Sequence, residues 1–470
     1  MTAELAFASV EELRGLIRAG QVCVREVVEA CLGRIESLDS SLNAVVAPRA
    51  EAAMREAAAA DRMAPAQHGP LHGVPFTVKD VTETLDLPTT WGSPALADHR
   101  TDYEAAVVGH LRRAGAILVG KTNTAELASE PVTRGGLFGE TRNPWALQRT
   151  PGGSSGGAAA GLAAGLFTLA QGTDAGGSIR IPASCCGLVG IKPTRGRVSF
   201  APAARDPWGG LLHSGPLARS VRDAAVMLDV MAGPGAGERN LLLAPPNLRD
   251  ACERPPGRLR VAYTSKLPVG ELDADVASAF AGALDVLREL GLEPVPTAPD
   301  VSALGALFAT IAESTFAGLA APLTARQLEL VGTTSRQLIE RGRRIAAGEY
   351  LAAIEAAYHE SLAILRFWDE HDVLVTPTVP WVPPPRDQLP ATEEYEAKWA
   401  QYGSWEAFTL PWNVTGQPAI SLPCPTWSGE GLPIGVQLVG GFGAEADLVS
   451  LAAAYEATAP WRHRRPPDFD

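Results

Sequence analysis

The sequence predicts an α/β protein in which helices cover both faces of a central sheet. The main indication is an alternation of short apolar runs with helical segments between residues 74 and 171. The expected elements are strand 74–79, helix 104–114, strand 116–120, helix 155–164 and strand 166–171. Composition agrees, because 470 residues with 46% hydrophobic and 20% charged side chains are typical of a globular chain with a large core.

Further elements are predicted on both sides of this alternating region. Ser9 and Glu12 form a capping-box pattern, which opens a helix that ends at Gly20. The other expected elements, in chain order, are helices 24–38, 49–63 and 221–232, a surface connection over 233–248, strands 259–264 and 293–297 around helix 273–290, a helix-rich region 301–370, and a hairpin over 418–440 that turns at 428–431.

Charge and cysteine content exclude several classes of protein. The net charge of −13 disfavours direct binding to nucleic acid or to anionic membranes. There is no apolar run of 18 residues and no basic start followed by an apolar stretch, so we expect a cytoplasmic location. The six cysteines form no C-x-x-C pair, which favours free, mostly buried thiols. Since no His, Cys or carboxylate cluster has ligand spacing, we expect neither a metal nor a cofactor.

Two glycine-serine clusters stand out in the sequence. They are Gly152–Ser154 and Gly176–Ser178, at opposite ends of one predicted helix-strand unit. Glycines at such turns let backbone N–H groups approach a ligand closely, and the serines are presented rather than buried. Acyl-transfer chemistry requires both a nucleophilic hydroxyl and donors for the developing oxyanion.

A serine nucleophile needs a base, and lysine is the best candidate here. None of the eight histidines lies in or beside either cluster. Lys79 ends a short apolar strand-like run, where partial burial lowers the pKa of an amine toward the value a base requires.

Other interpretations of these residues remain open. Ser154 lies in a G-x-S-x-G pattern over 152–156, which marks the nucleophile of Ser-His-Asp esterases of the α/β-hydrolase type. A glycine-serine stretch can also be a flexible linker, although linkers do not alternate with apolar runs. Cys185 and Cys186 are a further, weaker pair of nucleophile candidates.

One motif is misleading. Residues 115–122 satisfy the phosphate-binding pattern G-x-x-x-x-G-K-[ST] letter for letter. Their interior is four apolar residues preceded by a helix, whereas a phosphate loop follows its strand. We therefore expect a buried strand here and no nucleotide site.

These motifs resemble those of the amidase signature hydrolases. The resemblance is carried by G-V-P-F-T-V-K-D (73–80), G-K-T-N (120–123), T-R-N-P-W (141–145), P-G-G-S-S-G-G (151–157), G-T-D-A-G-G-S-I-R-I-P-A-S-C-C-G (172–187), G-I-K-P-T-R-G-R-V-S (190–199) and G-L-P-I-G-V-Q-L-V-G (431–440). It implies a single α/β/α sandwich with a mixed, many-stranded central sheet. The expected parts of that domain are N-terminal helices 9–63, a signature core 70–232, a peripheral helix-rich and covering-loop region 233–412, and a C-terminal hairpin and helix 413–470.

The resemblance also implies a catalytic unit of two serines and a lysine. Ser178 resembles the nucleophile, Ser154 the bridging serine in a cis peptide, and Lys79 the base. A hydroxyl that accepts and donates at once can relay a proton between nucleophile and lysine. The oxyanion hole is expected from backbone N–H groups of Ala175, Gly176, Gly177 and Ser178, and Asp174 with Arg180 is expected to hold this loop by pairing across it.

The substrate is indicated less clearly. Five tryptophans fall between 377 and 427, in a proline-broken segment expected to be a covering loop, and Trp208 lies in a second irregular loop after the signature. Such aromatic side chains favour apolar or aryl ligands. Leu127 and Ala128, just after G-K-T-N, are expected to line the same pocket.

Residues 199–210 depart from the Y-G-x-x-A-F-x-S-S-L-D stretch of glutamyl-tRNA amidotransferases. The chain is more similar to the bacterial hydrolases that include nylon-oligomer, aryl-acylamide and urethane-cleaving members. We therefore expect a monomeric or homodimeric enzyme for a small-molecule amide, ester or carbamate, with a partner-dependent amidotransferase subunit as an alternative.

Overall fold

A computed structural model of the chain describes residues 2–204, 207–235, 247–267, 271–390 and 394–469. The predicted surface connection over 233–248 lies mostly outside these residues, as do two residues of the loop that contains Trp208. Within the described residues, no helix combines the length and the apolar character needed to cross a bilayer.

Eleven of the described strands form one mixed sheet. The strands are β1 Val45–Pro48, β2 Pro75–Lys79, β3 Ile117–Thr122, β4 Arg134–Gly135, β5 Gly139–Glu140, β6 Leu169–Asp174, β7 Val189–Lys192, β8 His213–Ala218, β9 Val261–Tyr263, β10 Val295–Pro296, β11 Val373–Pro377, β12 Ala419–Pro423 and β13 Gly435–Gly440. The order across the sheet is β1-β3-β2-β6-β8-β7-β12-β13-β11-β9-β10, and β4 pairs with β5 separately. Strands β3, β2 and β6 run parallel, whereas β6, β8, β7, β12, β13 and β11 alternate in direction.

Helices surround this sheet. They are α1 Thr2–Phe7, α2 Val10–Arg18, α3 Val24–Leu42, α4 Ala50–Ala60, α5 Ala106–Arg113, α6 Gly156–Ala163, α7 Arg180–Cys186, α8 Val221–Met231, α9 Leu248–Ala251, α10 Ala274–Glu289, α11 Leu304–Ala320, α12 Ala325–Leu330, α13 Thr333–Gly342, α14 Ala347–Leu365, α15 Phe367–Glu370, α16 Tyr395–Trp405, α17 Pro411–Thr415 and α18 Glu445–Thr458.

The central strands are covered on both faces, as the element pattern predicts. Strand β3 shows this within three residues. Leu118 packs in the apolar cluster built with α5, α8, α10 and α18, whereas Ile117 and Val119 pack in the cluster built with α3, α4 and α6. Because successive side chains of a strand point to opposite faces, both faces of the sheet are core. The mixed α/β sandwich is thus confirmed.

Most predicted elements exist, with shifted ends. The stretch that satisfies the phosphate-loop pattern is strand β3, as expected, and the C-terminal hairpin pairs β12 with β13 around a turn at 428–431. The prediction for 166–171 was wrong at both ends, since β6 runs from Leu169 to Asp174. Phe167 instead packs against Gly161 of α6, and the polar residues after Gln171 pair with β8.

The tryptophan-rich segment 377–427 is not the covering loop that its prolines suggest. It contains α16, α17 and β12, and Trp405 and Trp412 are buried in the apolar core. Trp381 stacks on Trp405, and Trp427 packs edge-on against Trp145. Most of these rings therefore stabilise the fold.

Helices α11, α13 and α14, from the predicted helix-rich region, pack together above one end of the sheet. At the end of α13, Gly342 lies directly against the backbone of α11. A Cβ atom at this position would come within 1.9 Å of the carbonyl oxygen of Glu313. Only a residue without a side chain permits this approach of the two helices.

We therefore expect Gly342→Ala to lower the free energy of unfolding by about 1–3 kcal/mol, because the added methyl group must push α13 from α11. Chemical denaturation monitored by circular dichroism measures this change. Gly318→Ala is the matched control, since Gly318 lies on α11 with open space where its Cβ would be. Equal midpoints for the two variants would contradict the close helix contact.

Candidate active site

Lys79 lies at the carboxyl end of β2, where β2 runs parallel to β6. Parallel strands bring their carboxyl ends to the same edge of a sheet, so the residues after β6 lie beside Lys79. The Lys79 side chain is fully buried, and its Nζ donates to Ser154 Oγ at 2.6 Å and to Thr173 Oγ1 at 3.0 Å. Burial lowers the pKa of Lys79 to about 7, although the negative charge of Asp174 opposes this shift.

Ser154 lies in the turn that leads into α6, and the Gly153–Ser154 peptide bond is cis. Thr133 supports this turn, because its Oγ1 donates to the carbonyl of Gly152 and accepts from the N–H of Gly156, each at 2.9 Å. The structure therefore brings Ser154 and Lys79 into direct contact, although 75 residues separate them in the sequence.

Ser178 lies in the loop between β6 and α7, at the other end of this unit. Its carbonyl accepts from the N–H of Ser155 at 3.2 Å, so the two glycine-serine turns touch. Gly177 has a φ of +143°, a conformation that residues with a side chain rarely adopt. Among the described residues, no acceptor is hydrogen-bonded to the backbone N–H groups of 175–178. The loop thus offers donors as well as a hydroxyl.

A buried ion pair holds this loop. Arg180 donates from Nη2 to Asp174 Oδ1 at 2.8 Å and from Nε to Asp174 Oδ2 at 3.0 Å, and neither side chain is exposed. Asp174 Oδ2 also accepts from the N–H of Ile179 at 3.1 Å. Burial alone would raise the pKa of Asp174, but the charge and hydrogen bonds of Arg180 hold it well below its usual range.

Residues far along the chain complete this network, and the sequence did not reveal them. Asn413 donates to Asp174 Oδ1 at 2.8 Å and accepts from Arg180, Gln437 accepts from Arg180 at 2.8 Å, and Thr409 donates to the carbonyl of Gly176 at 2.6 Å. Gln437 could have been found, because it is a polar residue in the middle of an apolar strand pattern. Asn413 and Thr409 carry no such signal.

A cavity of about 440 Å³ opens next to this loop. Ala175, Gly176 and Ser178 line its floor, and apolar side chains of α11 and α13, among them Phe308 and Leu338, line its roof. Its polar end holds Arg341, which pairs with Glu313. A mostly apolar cavity with few polar groups is typical of a small-molecule site.

Two of the three predicted pocket residues line the cavity. Ala128 and Trp208 line the cavity, and the Trp208 ring packs edge-on against Phe316. Leu127 is not among the residues that line this cavity, and its side chain is buried in the same apolar cluster as Trp208. Of the five tryptophans between 377 and 427, Trp399 lines the cavity.

The alternative nucleophile systems find little support in this geometry. In the described part of the chain, none of the eight histidines is hydrogen-bonded to Ser154 or Ser178. All six cysteines are free and four are buried, as the sequence predicts. Burial raises the pKa of the Cys185 and Cys186 thiols, which disfavours the reactive thiolate.

Comparison with known proteins agrees with this geometry. The model of the family described as Amidase matches residues 26–449. The chain belongs to the amidase signature family. It is 36% identical to a 6-aminohexanoate-cyclic-dimer hydrolase of Paenarthrobacter ureafaciens over 96% of this chain and 94% of that protein. It is 34% identical to an acylamidase of Rhodococcus erythropolis over 99% of this chain and 98% of that protein.

Solved structures of the family match the whole architecture. The structure of 6-aminohexanoate cyclic dimer hydrolase complexed with substrate superposes with a TM-score of 0.91, 35% identity, and coverage of 99% of this chain and 100% of that one. The chain is therefore an amidase, a hydrolase of carbon–nitrogen bonds other than peptide bonds.

The ion pair beneath the loop generates a prediction. Arg180→Met should lower the free energy of unfolding by about 3–5 kcal/mol, because Asp174 is then left buried without its partner. Arg288→Met is the control, since its pair with Asp285 is solvent-exposed and is worth at most about 1 kcal/mol. Denaturation midpoints measure both changes, and a small loss in Arg180→Met would show that the pair does not hold the loop.

Proposed function

We propose that this amidase cleaves its substrate through an acyl-enzyme on Ser178. Ser178 Oγ attacks the carbonyl carbon, and its proton passes through Ser154 Oγ to Lys79 Nζ. The proton then returns to the leaving amine as the C–N bond breaks, and water hydrolyses the acyl-enzyme. The observation that carries this proposal is the 2.6 Å contact between the buried Lys79 amine and Ser154, on a turn that touches the Ser178 loop.

The loop before Ser178 fits the remaining requirement. Attack leaves negative charge on the carbonyl oxygen, and preorganised backbone donors stabilise such charge. We assign the N–H groups of Ala175, Gly176 and Gly177, with that of Ser178, to this role, because no acceptor among the described residues binds them. Asp174 and Arg180 position the loop without touching the substrate.

The cavity favours amides with an aryl or long apolar group. Trp208 and Phe308 offer apolar surface close to Ser178. Carbamates and aryl esters present a similar carbonyl to the nucleophile, so we include urethane cleavage in the proposed range. A monomer or homodimer acting on small molecules is the expected form. Activity of the purified chain without a partner or ATP separates this proposal from an amidotransferase subunit.

The nucleophile can be identified by labelling. A serine-directed phosphonate reagent should modify the peptide that contains Ser178, and Ser178→Ala should abolish both labelling and amide turnover, because Ser178 carries the hydroxyl within the 175–178 loop that holds the free N–H donors. Mass mapping of the digested protein locates the adduct. Ser155→Ala is the control and should still be labelled. An adduct on Ser154 would favour the nucleophile-elbow mechanism instead.

The base can be identified from the pH profile. Lys79 must be neutral to accept a proton, so with a pKa of about 7 the value of kcat/KM should be half-maximal near that pH and fall as the pH is lowered. Lys79→Ala should lose this acidic limb together with about 10²–10⁴-fold in rate while remaining folded. His110→Gln, which alters a histidine outside the cavity, should keep both. Full activity in Lys79→Ala would exclude lysine as the base.

A further inference from the structure

Glu406 faces the same cavity as Ser178 and has no role in the mechanism above. It follows α16, is 9% exposed and lines the cavity with Gly176 and Ser178. Its backbone is fixed by hydrogen bonds to its carbonyl from the N–H groups of Thr409 and Leu410, each at 2.9 Å. The side chain is therefore presented from a rigid turn.

The Glu406 carboxyl differs from the other carboxyls that line the cavity. Glu313 accepts from Arg341 and from the hydroxyl of Tyr395, at 2.9 and 2.7 Å. Glu396 accepts from Arg341, and Glu130 accepts from the hydroxyl of Tyr402. Among the described residues, no donor is hydrogen-bonded to the carboxyl of Glu406. Since Glu406 also lines the cavity, its carboxyl is open to a hydrogen bond from a ligand that enters there.

The carboxyl also lies close to the reacting centre. A Cβ atom built on Gly176 would be 3.3 Å from Glu406 Oε2. Less than about 8 Å separates the Cα atoms of Gly176 and Ser178, since consecutive Cα atoms are 3.8 Å apart. Since Ser178 lines the same cavity, an acyl group on Ser178 is within reach of this carboxyl.

The surroundings favour a neutral carboxyl. Burial and the negative charge of Asp174 raise the pKa of Glu406 to about 8, against the opposing charge of Arg180. A protonated carboxyl has one O–H donor and a carbonyl acceptor side by side. An amide or a carbamate has the complementary pair, an N–H donor and a carbonyl acceptor.

We propose that Glu406 is a specificity-determining residue that binds a second neutral amide or carbamate group of the substrate, next to the one that is cleaved. This inference rests on the proposed acyl-enzyme at Ser178 and adds to it a substrate class, that of molecules with two such groups linked by a short apolar chain. The apolar walls from Phe308 and Leu338 accommodate the linking chain.

Matched anilides test this assignment. One series has an acyl chain that ends in a primary amide, a second ends in the isosteric isopropyl group, and a third ends in an ammonium group, each with two to four methylenes in the chain. The measured quantity is the ratio of kcat/KM between chains of equal length, which cancels effects on the chemical step. Wild-type protein should prefer the amide-ended anilides over the isopropyl-ended ones.

Two variants of Glu406 separate recognition from structure. Glu406→Met keeps the length but removes both hydrogen-bonding atoms, so the preference for the amide end should fall by roughly tenfold while turnover of the isopropyl-ended anilide is kept. Glu406→Gln is neutral and still has a donor and an acceptor, so it should retain most of the preference. Neither variant should lower the thermal midpoint, because the replaced carboxyl has no partner in the described protein.

A second carboxyl provides the control. Glu396→Met changes a cavity carboxyl that is 72% exposed and already bonded to Arg341, and it should leave the preference unchanged. Equal losses on both substrates in Glu406→Met, or an unchanged preference, would overturn the inference. A wild-type preference for the ammonium end that is lost in Glu406→Gln would overturn it in favour of cation binding. If wild-type protein hydrolyses none of the three series, the proposed function itself fails.

Discussion

The ion pair between Asp174 and Arg180 is the constraint on which the site depends. Two charges without solvent contact are stable only when their remaining hydrogen-bonding atoms also have partners. Here those partners are Asn413, Gln437 and the carbonyl of Thr409. The same carboxylate binds the N–H of Ile179 and thereby sets the direction of the loop that precedes it. Since that loop contains Ser178, the buried ion pair between Asp174 and Arg180 determines where the Ser178 hydroxyl lies.

Lys79 and Asp174 are both buried, yet Lys79 loses its charge easily whereas Asp174 keeps its charge. Lys79 has two hydroxyl partners but, among the described residues, no carboxylate in hydrogen-bond contact, so desolvation dominates and its amine is easily deprotonated. Asp174 is equally buried but has a guanidinium partner, and it stays ionised. A reactive amine and a permanent charge can therefore coexist at the end of two neighbouring strands, because their hydrogen-bond partners differ.

The sequence predicted the parts of the molecule that depend on local pattern. The alternation of elements gave the class of fold, and the motifs identified Lys79, Ser154 and Ser178, which the structure brings together at the end of β2 and in two adjoining turns. The sequence did not predict features that depend on contacts with residues far along the chain. Gly172 to Asp174 look like turn residues but form the end of β6, because β8 pairs with them. Leu127 follows a strand end as expected, yet it is buried in the same apolar cluster as Trp208 and is not among the residues that line the cavity.

The cavity joins two parts of the chain that have different tasks. Its floor comes from turns between 128 and 208, and nearly all of its roof comes from the block between Val301 and Pro411. The roof block reaches the ion pair through Thr409, just beyond the cavity-lining Glu406. Helices α11 and α13 supply one part of this roof and α16 another, so an exchange of the segment from α11 to α13 between relatives can change part of the wall that meets the substrate while the floor keeps its chemistry. Because the floor and the roof come from separate stretches of the chain, the roof can diverge between relatives without altering the turns that hold Ser154 and Ser178.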